Sequence, residues 1–566
     1  MLQLAQHLCL AGFYITFLNS GHIHKRLLRY TDIHARFAQY PGFHFKTFSD
    51  GLPDDHPRTI DRGTEIFDSL YSSSRKALEE MLIDLRPPVS CIIGDPVLGF
   101  VSDVAKELKI PLIHFYIASA CSFWASLCIP DVIEAGELPL KGYEDLDNLI
   151  TTVPGMETFL RGRDLPSLCR PNDINDLIFQ QFMDWILRSS EANALILNTF
   201  EDLEAPILSH IHTKYPKIYA IGPLHLHLQT KLSSPNSIMP SQSSNSLWEV
   251  DKSCMAWLDG QPPQSVVYVS FGSLVLLTRE QFMEFWYGLV NSKQRFLWVI
   301  RPDFVAIDEG ERPRELEQGT KERGYIVSWA PQEEVLAHKS VGGFMTHSGW
   351  NSTIESLVAQ VPMICWPCFF DQQVNSRFVS EVWKIGVDMK DVCYRKIVEK
   401  MIYEVMVERR EEFVKSIDRM AMLAKMSHNA YHILHTACCM SHDAHSGELL
   451  SLHSALLAIF FVVNLHLVDK LMIDLHSFAA AYFSFSHYTF IFYQKVFTPQ
   501  QLPCITKQQI VEKMIYDVMV EGREEFVKST DRMAKLAKKC VRDGGFSSCN
   551  LDRLIEDLRL MRVSQY

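Results

Sequence analysis

The stretch GGFMTHSGWNSTIESL (Gly342–Leu357) constrains the fold of this chain more than any other. It reads as a buried, glycine-led strand, a loop carrying His347, Ser348 and Gly349, and then a helix. A strand feeding a helix through a glycine loop builds a parallel, doubly wound α/β sheet, because parallel neighbours need a crossover. Ser348 or Asn351 is placed to cap the helix. The unpaired first-turn N–H groups and the helix dipole then make its start a phosphate site. His347 adds a donor, and Gly349 lets a ligand approach the backbone closely.

Neighbouring residues extend this site. Trp329 offers a flat face for a base. Glu355, one turn into the helix, suits the hydroxyls of a ribose. Asp371 and Gln372 follow an apolar strand and are placed to bracket a polyhydroxy ligand. A nucleoside diphosphate with a sugar end fits the whole set. The net charge of −12 and the lack of a Lys/Arg-rich tract exclude a general nucleic-acid binder.

The rest of the chain supports two domains of this kind. In the first half PVSCIIGD (Pro88–Asp95), PLIHFYIASA, ALILNTF and IYAIGP read as strands and VSDVAKELKI as a helix. The chain opens on a helix, Met1–Ala11, with Gly12 as its C-cap and a strand over Phe13–Leu18. The polar run Gln229–Ser246 has linker composition, and a second strand–helix series restarts at SVVYVSFGS (Ser265–Ser273). Two doubly wound domains leave a cleft between the carboxyl ends of their strands. Near the end, Ile397–Lys425 recurs almost unchanged as Ile510–Lys538, as a duplicated exon would. Residues 427–505, rich in His, Phe and Ser, carry no followable periodicity and are expected to be a non-native insertion, with duplicated helices and a tail over 506–566.

Targeting signals are weak. LCLAGFYITFL lacks a basic flank, so secretion is not expected. ALLAIFFVVNLHLV, from Ala455, falls short of the ~20 residues of a membrane span and contains Asn464 and His466, so no stable membrane insertion is expected. Fourteen cysteines without CxxC pairs suit a reducing cytoplasm.

The segment Trp329–Gln372 resembles the signature box of plant family 1 UDP-sugar glycosyltransferases. The resemblance extends to PVSCIIGDPVLGF, LNTFEDLE, AIGPL, CMAWLDGQPPQSVVYVSFGS and CNLDRLIEDLRLM. Within the family, SDGLPDDHPR and TTVPGMETFLRGRDLPSLCR are most similar to iridoid glucosyltransferases acting on 7-deoxyloganetic acid. It implies a GT-B fold, with residues 1–228 binding the acceptor, 229–252 linking, and 253–426 binding the UDP-sugar. It also implies that Trp329 stacks on uracil, with the Ala330 backbone and Gln332 holding the uridine and Glu355 the ribose. His347, Asn351, Ser352 and Ser273 would bind the diphosphate, while Trp350, Asp371 and Gln372 would face the sugar. Gln372 favours UDP-glucose as co-substrate. Phe123, Trp124 and Phe370 would wall the acceptor. The implied reaction is inverting and needs no metal or other cofactor, and the implied protein is a monomer whose partners are the UDP-sugar and a small-molecule acceptor.

In the family a histidine removes the acceptor proton and an aspartate orients it. Asp95 matches that aspartate. The histidine belongs to a QGH motif just before MLxLA, and here that methionine is residue 1, so the base and the first strand are expected upstream of Met1. A catalytically impaired, donor-binding pseudoenzyme, or a mispredicted gene product, is therefore the alternative reading. A membrane-anchored glucuronosyltransferase would need a C-terminal span. Plainer roles also stand beside several residues: Asp95 as cap of the following helix, His22 and His24 as solvated loop histidines, and Asp145–Asp147 as an exposed acidic triplet rather than a metal motif. Asn351 also starts an NST sequon, which a cytosolic chain would not have glycosylated.

Overall fold

The computed structural model describes residues 1–566 except 60–61, 171–172, 216, 233–245, 303–313, 391–392, 419, 421–545 and 564–566. Met1–Ser427 and Ser547–Tyr566 form one compact unit. The proposed insertion at 427–505 and the whole second repeat copy, Ile510–Lys538, lie outside the described residues.

The first half holds strands β1 (Ile15–Ser20), β2 (Phe43–Phe48), β3 (Ile92–Gly94), β4 (Leu112–Tyr116), β5 (Ala194–Leu197) and β6 (Ile218–Ala220). They form two parallel sheets, β1-β2 and β3-β4-β5-β6, instead of one continuous sheet. The opening segment is shifted slightly from the sequence reading. The helix spans Leu2–Leu10, and the Phe13 N–H still closes onto Leu8 O at 3.1 Å, so the strand begins only at Ile15. Side chains alternate between two cores, as parallel strands covered on both faces require. Ile93, Ile113 and Phe115 share one core with Leu4 and Leu8, while Ile92 and Leu112 share the other with Leu78 and Phe100.

His22 and His24 lie on the Gly21–Tyr30 helix, not in a solvated loop. The Ser20 hydroxyl accepts from Ile23 N at 3.3 Å and starts that helix directly after β1. The polar run from Gln229 begins inside the Leu224–Leu232 helix rather than as free linker.

The second half holds β7 (Val266–Ser270), β8 (Arg295–Val299), β9 (Gly324–Val327), β10 (Val341–Thr346), β11 (Met363–Cys365) and β12 (Gly386–Asp388). Their spatial order is β9-β8-β7-β10-β11-β12, all parallel. The direction of winding reverses between β7 and β10. Crevices at such a switch point, beyond the carboxyl ends of the strands, are where open α/β sheets bind ligands.

The Phe546–Val563 helix returns to the first half. Leu551, Leu554, Ile555 and Leu558 join the core that contains Leu4 and Leu8. Asn550 Nδ2 donates to Ala220 O at 3.3 Å, and Arg553 Nη2 to Ile218 O at 2.7 Å. Leu554→Ala is expected to cost about 2–5 kcal/mol, as buried leucines do. It should lower the thermal unfolding midpoint clearly, while the exposed Leu560→Ala leaves it in place.

Candidate functional site

The loop after β7 and the loop after β10 meet at the switch point, and His347 fills the space between them. A Cβ on Gly272 would lie 2.6 Å from its ring, and one on Gly349 2.5 Å. Gly272 also adopts φ +71°, which other residues avoid. Burial, followed by the nearby Arg301 guanidinium, pulls the His347 pKa down to about 4, so the ring is neutral at physiological pH. Arg301 is itself buried, and donates to the carbonyls of Gly272 and, at 2.9 Å, Val275. Nothing in the sequence singled out Arg301, which simply ends an apolar strand.

The helix after β10 starts at Trp350 with Gly349 as its N-cap, and no side chain caps it. Neither Ser348 nor Asn351 takes that role. Ser348 sits at φ +63°, which diverts its side chain, and Asn351 lies already inside the first turn. The Trp350 N–H is bound by the Asp371 carboxylate, and the N-cap itself supplies no side-chain acceptor to the N–H groups that follow it, as an anion site requires. Asn351 is exposed there and Ser352 is buried beside it.

Gln332 opens the short Gln332–Leu336 helix and joins the two walls of the crevice. Its Nε2 donates to Ser352 Oγ at 2.9 Å and to Glu355 Oε2 at 2.8 Å, and Tyr268 OH donates to its Oε1 at 3.4 Å. Burial, then the neighbouring Glu333 charge, raises the Glu355 carboxyl to about 8. Trp329 stands just ahead of this group, with buried Ala330 after it. Its ring stacks on Trp248 with centroids 6.3 Å apart, and Trp248 in turn lies under the Arg26 guanidinium at 4.3 Å.

Asp371 and Gln372 begin the Gln372–Arg377 helix. The Gln372 Oε1 accepts from Cys368 N at 2.8 Å and Phe369 N at 3.1 Å, so its amide is held in one orientation with its NH₂ as the remaining donor. The Asp371 carboxylate accepts from Asn375 Nδ2 at 2.6 Å, and burial raises its pKa to about 6. Trp350 does not present its ring to this group: the indole is buried and donates to Asn198 O of the first half at 2.9 Å. Its main-chain N–H meets the Asp371 carboxylate. Asn375 performs a parallel service, accepting from Ser119 Oγ at 2.7 Å.

Asp95 follows β3, and its Oδ1 accepts from Val97 N at 3.0 Å in a tight turn. It does not cap the next helix, whose N-cap is Leu98. Burial raises its pKa to about 6. Asp95, His22 and Ser273 line one cavity of about 1170 Å³, with Trp248 and Arg301 on the second-domain side. Ser273 is the one donor-side candidate among these lining residues; Trp329, Gln332, His347, Glu355, Asp371 and Gln372 are not among them. Phe123 and Trp124 are core residues, not cavity walls, and Trp124 Nε1 donates to Pro154 O at 2.9 Å. Asp147 of the acidic triplet is engaged by Arg161 and Arg163 at 3.3 and 2.7 Å. Among the described residues, no helix is long and apolar enough to cross a membrane.

Comparison with known proteins agrees with this geometry. The family model described as "UDP-glucoronosyl and UDP-glucosyl transferase" matches residues 201–425. The chain is 54% identical over 434 residues to the 7-deoxyloganetic acid glucosyltransferase of Catharanthus roseus, covering 75% of this chain and 90% of that one. It is 40% identical over 416 residues to the (R)-mandelonitrile beta-glucosyltransferase of Prunus dulcis, covering 72% and 85%. Its structure superimposes on the crystal structure of Os79 from O. sativa in complex with UDP with a TM-score of 0.61 at 25% identity, over 74% of this chain and 91% of that one. A glycine-cradled imidazole and an uncapped helix start at the switch point of the second of two facing α/β domains, together with these matches, place the chain in the UDP-glycosyltransferase family, with the GT-B fold.

Proposed function

We propose that the chain transfers glucose, with inversion, from UDP-glucose to a hydroxyl or carboxyl group of a small iridoid or other terpenoid metabolite. The observation that carries the acceptor class is the 54% identity to an iridoid glucosyltransferase. In this reading residues 253–426 hold the donor. The uracil lies on Trp329, against the Ala330 backbone and Gln332, and the ribose hydroxyls bond Glu355. The diphosphate meets the uncapped helix start with Asn351, Ser352, Ser273 and His347. Asp371, whose carboxylate the Trp350 N–H holds, and Gln372 take the glucose.

The acceptor enters the cavity that Asp95 of residues 1–228 and Ser273 of the donor half line together. Its oxygen attacks the anomeric carbon from the face opposite UDP, whose departing charge the helix start stabilises. Asp95, ionised at neutral pH, lines this cavity and can itself take the proton of a hydroxyl acceptor as the oxygen attacks. A carboxyl acceptor arrives already ionised at neutral pH and needs no such base, so both acceptor types belong in the test. The protein works as a monomer in the cytoplasm, without a metal.

The test incubates the purified chain with UDP-glucose and a panel of iridoid acids and alcohols, with and without EDTA. A β-glucoside product, seen by its anomeric coupling, is expected in both. UDP release no faster than without acceptor sinks the proposal. With the Asp95 carboxyl near 6, kcat/KM is expected to fall as pH drops through that value, and Asp95→Asn should remove the step.

A further inference from the structure

The segment assigned to the glucose belongs to the second half by sequence, but the first half holds it. Phe370, directly before Asp371, adopts a left-handed φ of +56°, an unfavourable angle for a bulky side chain. Its N–H donates to Ser167 Oγ at 3.1 Å. At the far end of the Gln372–Arg377 helix, Arg377 Nε donates to Phe159 O at 2.9 Å and lies 3.4 Å from the Asp164 carboxylate. Between these two anchors, Ser119 reaches Asn375.

Asn375 is fully buried, and its amide is used on both sides. Its Nδ2 donates to Asp371 Oδ2 at 2.6 Å and to Ser348 O at 2.9 Å, while its Oδ1 accepts from Ser119 Oγ at 2.7 Å. An amide nitrogen carries two hydrogens, so none is left for a ligand. Reversing the amide would set its oxygen against the Asp371 carboxylate and the Ser348 carbonyl, so these partners fix one orientation. Ser119 is held in turn. Its Oγ accepts from Ser122 N at 3.0 Å as the N-cap of the Ala120–Leu127 helix, and its own hydrogen goes to Asn375.

The two groups that Asn375 joins serve neighbouring parts of the donor. Asp371 is assigned to the sugar, and Ser348 lies in the loop of His347, assigned to the diphosphate. The Trp350 N–H supplies a second bond to the Asp371 carboxylate. A buried carboxylate held by two fixed donors presents its remaining lone pairs in a set direction.

We propose that Asn375 is a positioning residue for the sugar end of the donor, which aims the Asp371 carboxylate and is itself oriented by Ser119 of the first half. This rests on the reading in which Asp371 faces the glucose. One half of the molecule then supplies the group that meets the sugar, and the other half sets its direction.

The test compares dissociation constants for UDP and UDP-glucose, measured by calorimetry on the purified full chain, because UDP lacks the sugar. Asn375→Ala is expected to raise the constant for UDP-glucose about tenfold or more beyond any change for UDP, as loss of a bond to a charged group does. Ser119→Ala should shift the ratio the same way by less. The buried Glu204 carboxylate, which accepts from Ala120 N at 3.2 Å and Cys121 N at 2.8 Å, keeps that helix start capped in this variant.

Asn375→Asp keeps the shape but sets two carboxyls face to face, where they share one proton. That proton stands in for the amide N–H, so the variant should bind UDP-glucose nearly as wild type at about pH 6. By about pH 9 it should lose about tenfold relative to UDP. The Glu355 dependence acts on both ligands and cancels in the ratio. The Tyr116 phenol, raised by burial and then by the Asp371 and Asp95 charges, keeps its proton throughout. Equal changes for the two ligands in Asn375→Ala, an unchanged ratio in Ser119→Ala, or a ratio in Asn375→Asp that ignores pH overturns the proposal. Asp371→Asn separates the two readings. If it spares UDP-glucose, the sugar assignment fails and the proposal with it; if it weakens UDP-glucose and Asn375→Ala does not, only the positioning role fails.

Discussion

The KM for UDP-glucose is expected to fall by up to ~10²-fold as pH rises from about 6 to about 9, and Glu355→Gln should abolish that dependence. Glu355 carries a carboxyl raised to about 8, first by burial and then by the Glu333 charge. Ribose hydroxyls donate most strongly to an ionised carboxylate, so binding favours loss of this proton. Two pH units below the pKa, deprotonation costs ~2.7 kcal/mol, about the ~10²-fold stated above. Glu355→Gln lacks the ionised acceptor at every pH and should bind the donor ~10–100-fold more weakly than wild type at the alkaline end. Steady-state kinetics across the range, at saturating acceptor, measures both effects.

The same residue has an opposite consequence for stability. Its folded pKa lies above its unfolded value of 4.5, so the folded chain holds the proton more tightly. The stability this contributes is fully present below 4.5 and is lost as pH rises towards 8. Without donor, Glu355→Gln should therefore unfold at a higher temperature than wild type in alkaline buffer, with the gap closing in acid. Better folding with poorer donor binding is what a binding role predicts for a carboxyl placed at a cost.

Gly272→Ala is expected to cost about 2–5 kcal/mol of stability and most of the donor affinity. Overpacking a filled site costs ~1–3 kcal/mol, and a left-handed backbone adds ~1–2 kcal/mol for any residue with a Cβ. Here the new carbon would stand 2.6 Å from the His347 ring at φ +71°. Gly349→Ala meets the same ring at 2.5 Å with an ordinary φ of −59°, so it should pay for the clash alone. If the cradle is the cause, adding His347→Ala should recover stability in Gly349→Ala and recover less in Gly272→Ala. Thermal unfolding of the single and double variants reads this coupling directly. Equal losses with no recovery would mean that the loops fail for another reason.

Much of this site was legible in GGFMTHSGWNSTIESL, because its information is local. A β-rich run, a glycine loop and a helical period lie within sixteen residues, and the structure places them as β10, the His347 loop and the Trp350–Ala359 helix. The cap was misread for a local reason too: Ser348 has the right side chain but the wrong backbone angle. Trp350 was misread for a distant one. Its indole N–H bonds a carbonyl 152 residues earlier in the chain, and no spacing near Trp350 encodes that.

The sequence by itself determined two doubly wound domains, a glycine loop and helix start beyond the carboxyl end of a strand, and the family to which those motifs belong. Side-chain period and turn chemistry act over a few residues, so they survive in one dimension. Tertiary structure alone decided that the last helix returns to the first core, that the Trp350 indole bonds Asn198, and that Arg301 and Gly272 hold the neutral ring of His347. Each depends on groups far apart in the chain competing for the same space and the same hydrogen bonds, and that competition is settled only when the chain is folded.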